Sequence, residues 1–333
     1  MKKKNITTAV ALIVGLAAGG FLGYFAKPIP NDSIRGLREN NKDYHFINPL
    51  LAVDRGDTKE STPLSTSIDN KVQSFINQQV AGSNISTASV YFIDYGKNNF
   101  FSINENAAYN PASLLKVAAM IAYLKESEGA DPTLLDKRLT YSANIASFLK
   151  QTPFDPPSEL TVGSSYTVSD LIDKMIADSD NGALALLTSN ISPADLQQVY
   201  TDLGLKSPND SYPAAYTISL KDYSLFFRVL YNGTYLSKAD SEKALLILSK
   251  ATFKDGLEKG IPAGTQIAHK FGEYVQGQDN VINTIELHDC GIVYSAKNTY
   301  FLCVMTRGNN FQAVSNAIGG ISKIVYDTLS ANQ

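Results

Sequence analysis

Apolar residues recur along this chain at several distinct spacings, each marking a different kind of segment. Residues 5–26 carry no charge, and positions 6–26 would make about 31 Å of helix, enough to cross a bilayer. Ile68, Val72, Phe75, Ile76 and Val80 return every three to four positions, which predicts a helix over 67–80. Two β-branched and aromatic runs, 89–94 and 99–103, flank the turn-rich Tyr95-Gly96-Lys97-Asn98 and read as paired strands. Helical patterning follows after Pro111 and at 166–177, 182–188, 192–203, 220–232 and 238–250. The prolines between 131 and 157 predict a loop-rich stretch up to 165. Residues 281–287, 291–295 and 299–306 read as strands, and 313–329 as a closing amphipathic helix. Strands from both ends of the chain with helices between them predict an α/β fold of the mixed α+β kind. An antiparallel sheet would be flanked by helices, beside an all-α lobe.

The first segment follows Met1-Lys2-Lys3-Lys4. Three lysines hold that end in the cytoplasm, so the rest of the chain is expected outside, at the cell surface or in a periplasm. A cleavable signal peptide is the rival reading. The run is long for one, and Tyr24-Phe25-Ala26 puts a bulky residue where a small one is wanted, which favours a retained transmembrane anchor over 1–27. Gly15, Gly19 and Gly23 sit four apart, a spacing that would allow an anchor-mediated dimer of a chain otherwise expected to be a monomer. Residues 28–66 turn polar and read as an extracytoplasmic linker, interrupted by the apolar Phe46-Ile47-Asn48-Pro49-Leu50-Leu51. That patch either docks on the domain or is a stray hydrophobic segment. The catalytic domain is expected over 67–331.

Composition narrows the field. The 333 residues are 44% hydrophobic with a formal net charge of −3, ample for a large core, and no basic stripe points to nucleic acid. His45, His269 and His288 are too scattered for a metal site, and no cofactor is implied. Cys290 and Cys303 fall opposite one another across the 295–298 turn. Directly opposed positions are close for a relaxed disulfide, so reduced core packing is the expectation.

Chemistry concentrates at Ser113-Leu114-Leu115-Lys116, a serine and a lysine three apart after Pro111. Such residues share a helix face, and the small and apolar neighbours would bury the lysine, disfavouring its charged form. A neutral amine beside a hydroxyl is a base beside a nucleophile. Downstream, Ser179-Asp180-Asn181 lies on a turn between two helical segments, and Lys270-Phe271-Gly272 precedes the terminal strands. Alone, each triplet is ordinary turn or surface composition. In this order the chain resembles the serine β-lactamase and penicillin-binding protein family, closest to class A β-lactamases, over about residues 88–329.

The resemblance implies roles. Ser113 would attack a carbonyl carbon with Lys116 taking its proton, and the backbone N–H groups of Ser113 and Glu273, beside Gly272, would hold the oxyanion. Ser179 would pass a proton to the departing amine, supported by Lys270, and Asn181 would hold a substrate amide. Two departures stand out. Phe271 replaces the family's Thr or Ser, and no arginine lies between Arg228 and Arg307, which puts recognition of a substrate carboxylate in doubt. The segment 205–213, where a deacylating Glu should fall, offers Asp210 alone, while Glu242 and Glu258 come late in helical stretches. Acylation is therefore better supported than turnover. The expected partner is a β-lactam or a peptidoglycan stem peptide. The readings are a membrane-anchored, slowly deacylating β-lactamase-type hydrolase, a D-Ala-D-Ala peptidase, and a catalytically silent wall-binding module.

Overall fold

Strand pairing fixes the architecture of the computed structural model, which describes residues 38, 39, 44–51, 62–95, 97, 99–129, 131–147, 158–208, 216–278, 281–296 and 298–331. Five antiparallel strands lie in the order β2-β1-β9-β8-β7: β1 Thr87–Asp94, β2 Phe100–Ile103, β7 Gln266–Gln278, β8 Val281–Tyr294 and β9 Thr299–Gly308. Two-stranded ribbons join β3 Ala108–Tyr109 to β6 Ile218–Ser219, and β4 Arg138–Thr140 to β5 Ser165–Thr167. The expected antiparallel sheet flanked by helices is present.

Alternation along the strands gives the sheet two buried faces. On the rear, Val90, Phe92, Leu302 and Val304 pack with α1 (Pro63–Ala81) and the closing helix α9 (Phe311–Ala331) through Ile68, Val72, Ile318 and Ile321. Thr62 caps α1, accepting from Ser65 N, and Pro63 takes the first helical position, so this helix begins before the periodicity does. On the front, Cys290, Ile292 and Phe301 face the helical lobe. Its central helix α2 (Lys116–Glu128) is buried at every residue from Lys116 to Leu124, which explains an apolar run with no polar stripe. Around it lie α3 Ala143–Ser147, α4 Val168–Ala177, α5 Asn181–Thr188, α6 Pro193–Asp202, α7 Leu220–Asn232 and α8 Lys238–Leu248.

Three expectations change. The strand reading over 281–295 broke at His288-Asp289-Cys290, yet β8 runs straight through, because both polar side chains are buried with partners: His288 Nε2 on Asn110 O, Asp289 on His269 Nδ1 at 2.9 Å. The long strand β7, carrying Lys270, went unpredicted, since Lys270 lies on its buried front face and His269 and Glu273 interrupt Ile267, Phe271 and Val275 on the other. Cys290 and Cys303, expected reduced, are joined as a disulfide. They are register partners with Cα atoms 3.9 Å apart, so both sulfurs fall within the same small volume of the front face.

The apolar patch at 46–51 docks. Phe46 and Ile47 are buried, and the Glu242 carboxylate on α8 accepts the N–H groups of His45, Phe46 and Ile47 at 2.7–3.0 Å. Asn48 N donates to Tyr231 O and Leu50 N to Asn232 O, while Tyr294 Oη donates to Phe46 O at 3.0 Å. Among the described residues no helix is long and apolar enough to cross a membrane. The expected anchor over 1–27 lies outside the described residues.

Candidate active site

Pro111 leads into a single 3-10 turn, Ala112–Leu115, before α2 begins at Lys116. Residues i and i+3 eclipse in such a turn, so Ser113 and Lys116 share one side of it. Two supports hold the turn. Tyr223 on α7 donates its Oη to Leu114 O at 3.1 Å, and burial pushes that phenol well above its ordinary pKa, keeping it a donor. From the other side, β7 passes so close that a Cβ on Gly272 would lie 2.5 Å from Pro111 O and 2.9 Å from Leu114 Cγ. Glycine is required there by the approach alone.

Lys116 is fully buried, and its ammonium reaches across the lobe. Nζ donates to Ser179 O at 2.5 Å, Ser179 Oγ at 3.0 Å and Asn181 Oδ1 at 2.7 Å. The second motif is built to meet it. Asp180 caps α5, its Oδ1 accepting from Ala183 N at 2.9 Å while Oδ2 accepts from Ser158 Oγ and Glu159 N. With Asp180 spent on bracing, the chain enters the helix at a fixed angle. Ser179 takes a left-handed φ of +56°, which aims its carbonyl and hydroxyl at the lysine.

Lys270 and Gly272 face the front of the sheet on β7, Lys270 opposite Cys290. Lys270 is fully buried, donates to Phe271 O at 3.2 Å and holds its Nζ 4.2 Å above the Phe271 ring. Phe271 turns to the rear and stacks on Phe253 at 4.0 Å. Where a hydroxyl was wanted, an aromatic ring instead lies against the ammonium. β7 is an edge strand of the sheet, and Glu273, expected as an oxyanion donor, is register partner to Leu287 on β8.

The two late glutamates are committed elsewhere: Glu242 binds the 45–47 backbone, and Glu258 pairs with Lys254 at 2.6 Å. Asp210 lies outside the described residues. No group of three or more His, Cys, Asp or Glu that could hold a metal occurs among the described residues. Sequence reading missed Tyr223, Asn110 and His288, none of which carries a local motif.

Lys116 thus joins the first motif to Ser179 and Asn181 of the second in one buried contact set. Fold and motifs together define a class, the serine hydrolases. The chain belongs to the beta-lactamase enzyme family, whose model matches residues 69–329, and it is a serine hydrolase of the β-lactamase-like kind. Among solved structures it is similar to PBP-A (21% identity, TM-score 0.65, covering 80% of this chain and 97% of that one). A β-lactamase from Xanthomonas campestris (19%, 0.66, 79% and 98%) and a class A β-lactamase from Mycobacterium abscessus (19%, 0.64, 79% and 99%) share the fold. No curated protein sequence matches the chain.

Proposed function

We propose that this chain is a membrane-anchored, extracytoplasmic serine hydrolase that is acylated at Ser113 by a β-lactam or related amide and deacylates slowly. The observation that carries acylation is the reach of Lys116 Nζ to Ser179 Oγ and Asn181 Oδ1, which links base, proton shuttle and substrate-holding amide in one buried contact set. Slow deacylation is supported by the commitments of Glu242 and Glu258, which leave no glutamate between the second and third motifs to activate water. A solved variant of PBP-A, a structural neighbour, is an acyl-enzyme complex with penicillin G. The buried Cys290–Cys303 disulfide supports an oxidising compartment, in keeping with an anchor over 1–27 and the rest of the chain outside.

The same machinery serves a D-Ala-D-Ala peptidase, and the missing glutamate favours that second reading, in which the acyl group is a wall peptide. The test incubates the full chain with a fluorescent penicillin and follows intact mass for hours, with Ser113→Ala as control. A lasting adduct on the wild type alone is the expected result. Rapid release of penicilloate would overturn slow deacylation, and absence of any adduct would overturn the β-lactam reading.

A further inference from the structure

The turn bearing Ser113 is held from the sheet by side chains outside the proton relay. Asn110 stands three positions before the nucleophile. Its N–H donates to Glu286 Oε2 at 2.8 Å, its carbonyl accepts from His288 Nε2 at 3.0 Å, and its own Oδ1 accepts from Ala112 N at 3.0 Å. A carbonyl can only accept, so His288 carries its hydrogen on Nε2. Glu286 and His288 alternate on β8 and so project from the same face, and Glu286 pairs across the ladder with Arg307 on β9. Arg307 fixes the carboxylate, with Nε and Nη2 at 2.8 and 2.6 Å from Oε1, while Nη2 also reaches Ala108 O at 3.4 Å. Glu286 and His288 are both buried.

What this grip opposes is visible in the backbone. Ala112, immediately before Ser113, has φ +48°, a left-handed conformation that is costly for a non-glycine residue and persists only where the surroundings impose it. The Asn110 side chain bonds the N–H of that residue, and β8 holds both backbone groups of Asn110. Strain and restraint therefore meet directly ahead of the nucleophile.

We propose that Glu286 and His288 clamp Asn110 and thereby hold Ser113 in its reactive position, which makes them positioning residues for acylation. The inference rests on the acyl-enzyme reading for its rate effect, but not for the geometry it asserts. Loss of the clamp lets Ala112 relax to a right-handed conformation, moving the Ser113 hydroxyl relative to Lys116 and the oxyanion donors. Such a shift lowers the rate of bond formation more than the affinity of the encounter.

The experiment uses the full chain with His288→Leu, which removes the donor, and His288→Gln, whose side-chain N–H keeps one. Labelling of Ser113 is followed with a fluorescent penicillin and, in parallel, with a fluorophosphonate, separating maximal rate from half-saturating concentration; amide exchange at 112–115 is measured alongside. For His288→Leu the expected result is a maximal rate down by about tenfold or more, half-saturation within about threefold, and exchange about tenfold faster. His288→Gln should recover both within about threefold. Should the Leu variant not fold, Asn110→Ala, which removes the bond to Ala112 N, takes its place with an expected slowing of about three- to tenfold. A folded Leu variant acylated at the wild-type rate, or a Gln variant as slow as Leu, would overturn the clamp. If the wild type takes the fluorophosphonate but not the penicillin, the β-lactam reading falls and the fluorophosphonate rates decide the clamp. If neither probe labels it, the acyl-enzyme reading falls and the exchange rates alone decide.

Discussion

Lys116 and Asn181, 65 positions apart in the chain, meet in a hydrogen bond of 2.7 Å from Nζ to Oδ1. An amide oxygen there orients the amine without placing a formal charge beside it. Asn181→Asp would put a carboxylate at the same distance, and an opposite charge that close favours the protonated lysine. The expected outcome is acylation slowed about 10- to 100-fold at neutral pH, with the rising limb of the pH–rate profile displaced to higher pH. The check is the acylation rate measured across pH for both proteins. An unshifted profile would mean that Lys116 is not the base.

Gly272 tests how closely β7 must approach the nucleophile. Its absent Cβ would sit 2.5 Å from a backbone carbonyl, Pro111 O, which cannot rotate away as a side chain could. Gly272→Ala therefore forces strand and turn apart. We expect a loss of about 1–3 kcal/mol in stability from overpacking and roughly 100-fold in acylation from misplacement. Denaturant unfolding and labelling kinetics on the same preparation report the two effects separately.

Local spacing made Ser113 and Lys116 legible, because both the eclipsed turn and the buried helix are written within fifteen residues. Ser179 and Asn181 were legible as a turn composition but not as partners of Lys116, since that contact depends on how α2 packs beside α5. The strand carrying Lys270 was not legible, because His269 and Glu273 interrupt Ile267, Phe271 and Val275 on its rear face. Asn110, Glu286, His288 and Arg307 form one contact set from three separate segments, each unremarkable alone. Cys290 and Cys303 were correctly opposed, but the closeness of directly opposed positions argued against the bond that the structure forms.

The docked segment at 44–51 sets where the catalytic unit begins. A chain starting at residue 61 loses the buried Phe46 and Ile47 and leaves the Glu242 carboxylate without its backbone donors. Burial of each of these two side chains contributes about 1.5–3 kcal/mol. A truncation at 61 should melt roughly 10 °C below one that retains residues from 38 onward. Equal melting temperatures would show that the segment adds nothing to stability.

His288 makes stability depend on pH in a window that can be stated in advance. Burial holds its pKa down at about 4, against an ordinary value near 6.5. The groups facing it are Glu286, whose Oε2 lies 3.8 Å away, Arg307 from β9, and the Tyr109 ring at 5.3 Å. Because the folded value is depressed, the unfolded chain takes up the proton first as pH falls. The contribution is intact above about 6.5 and is lost as pH drops through about 4, amounting to about 3 kcal/mol. His288→Gln cannot titrate, so its stability relative to the wild type should rise by about that amount between pH 7 and pH 4. Paired urea titrations at the two pH values measure the difference. Parallel curves for wild type and variant would mean that His288 is already charged, or not buried, in the folded chain.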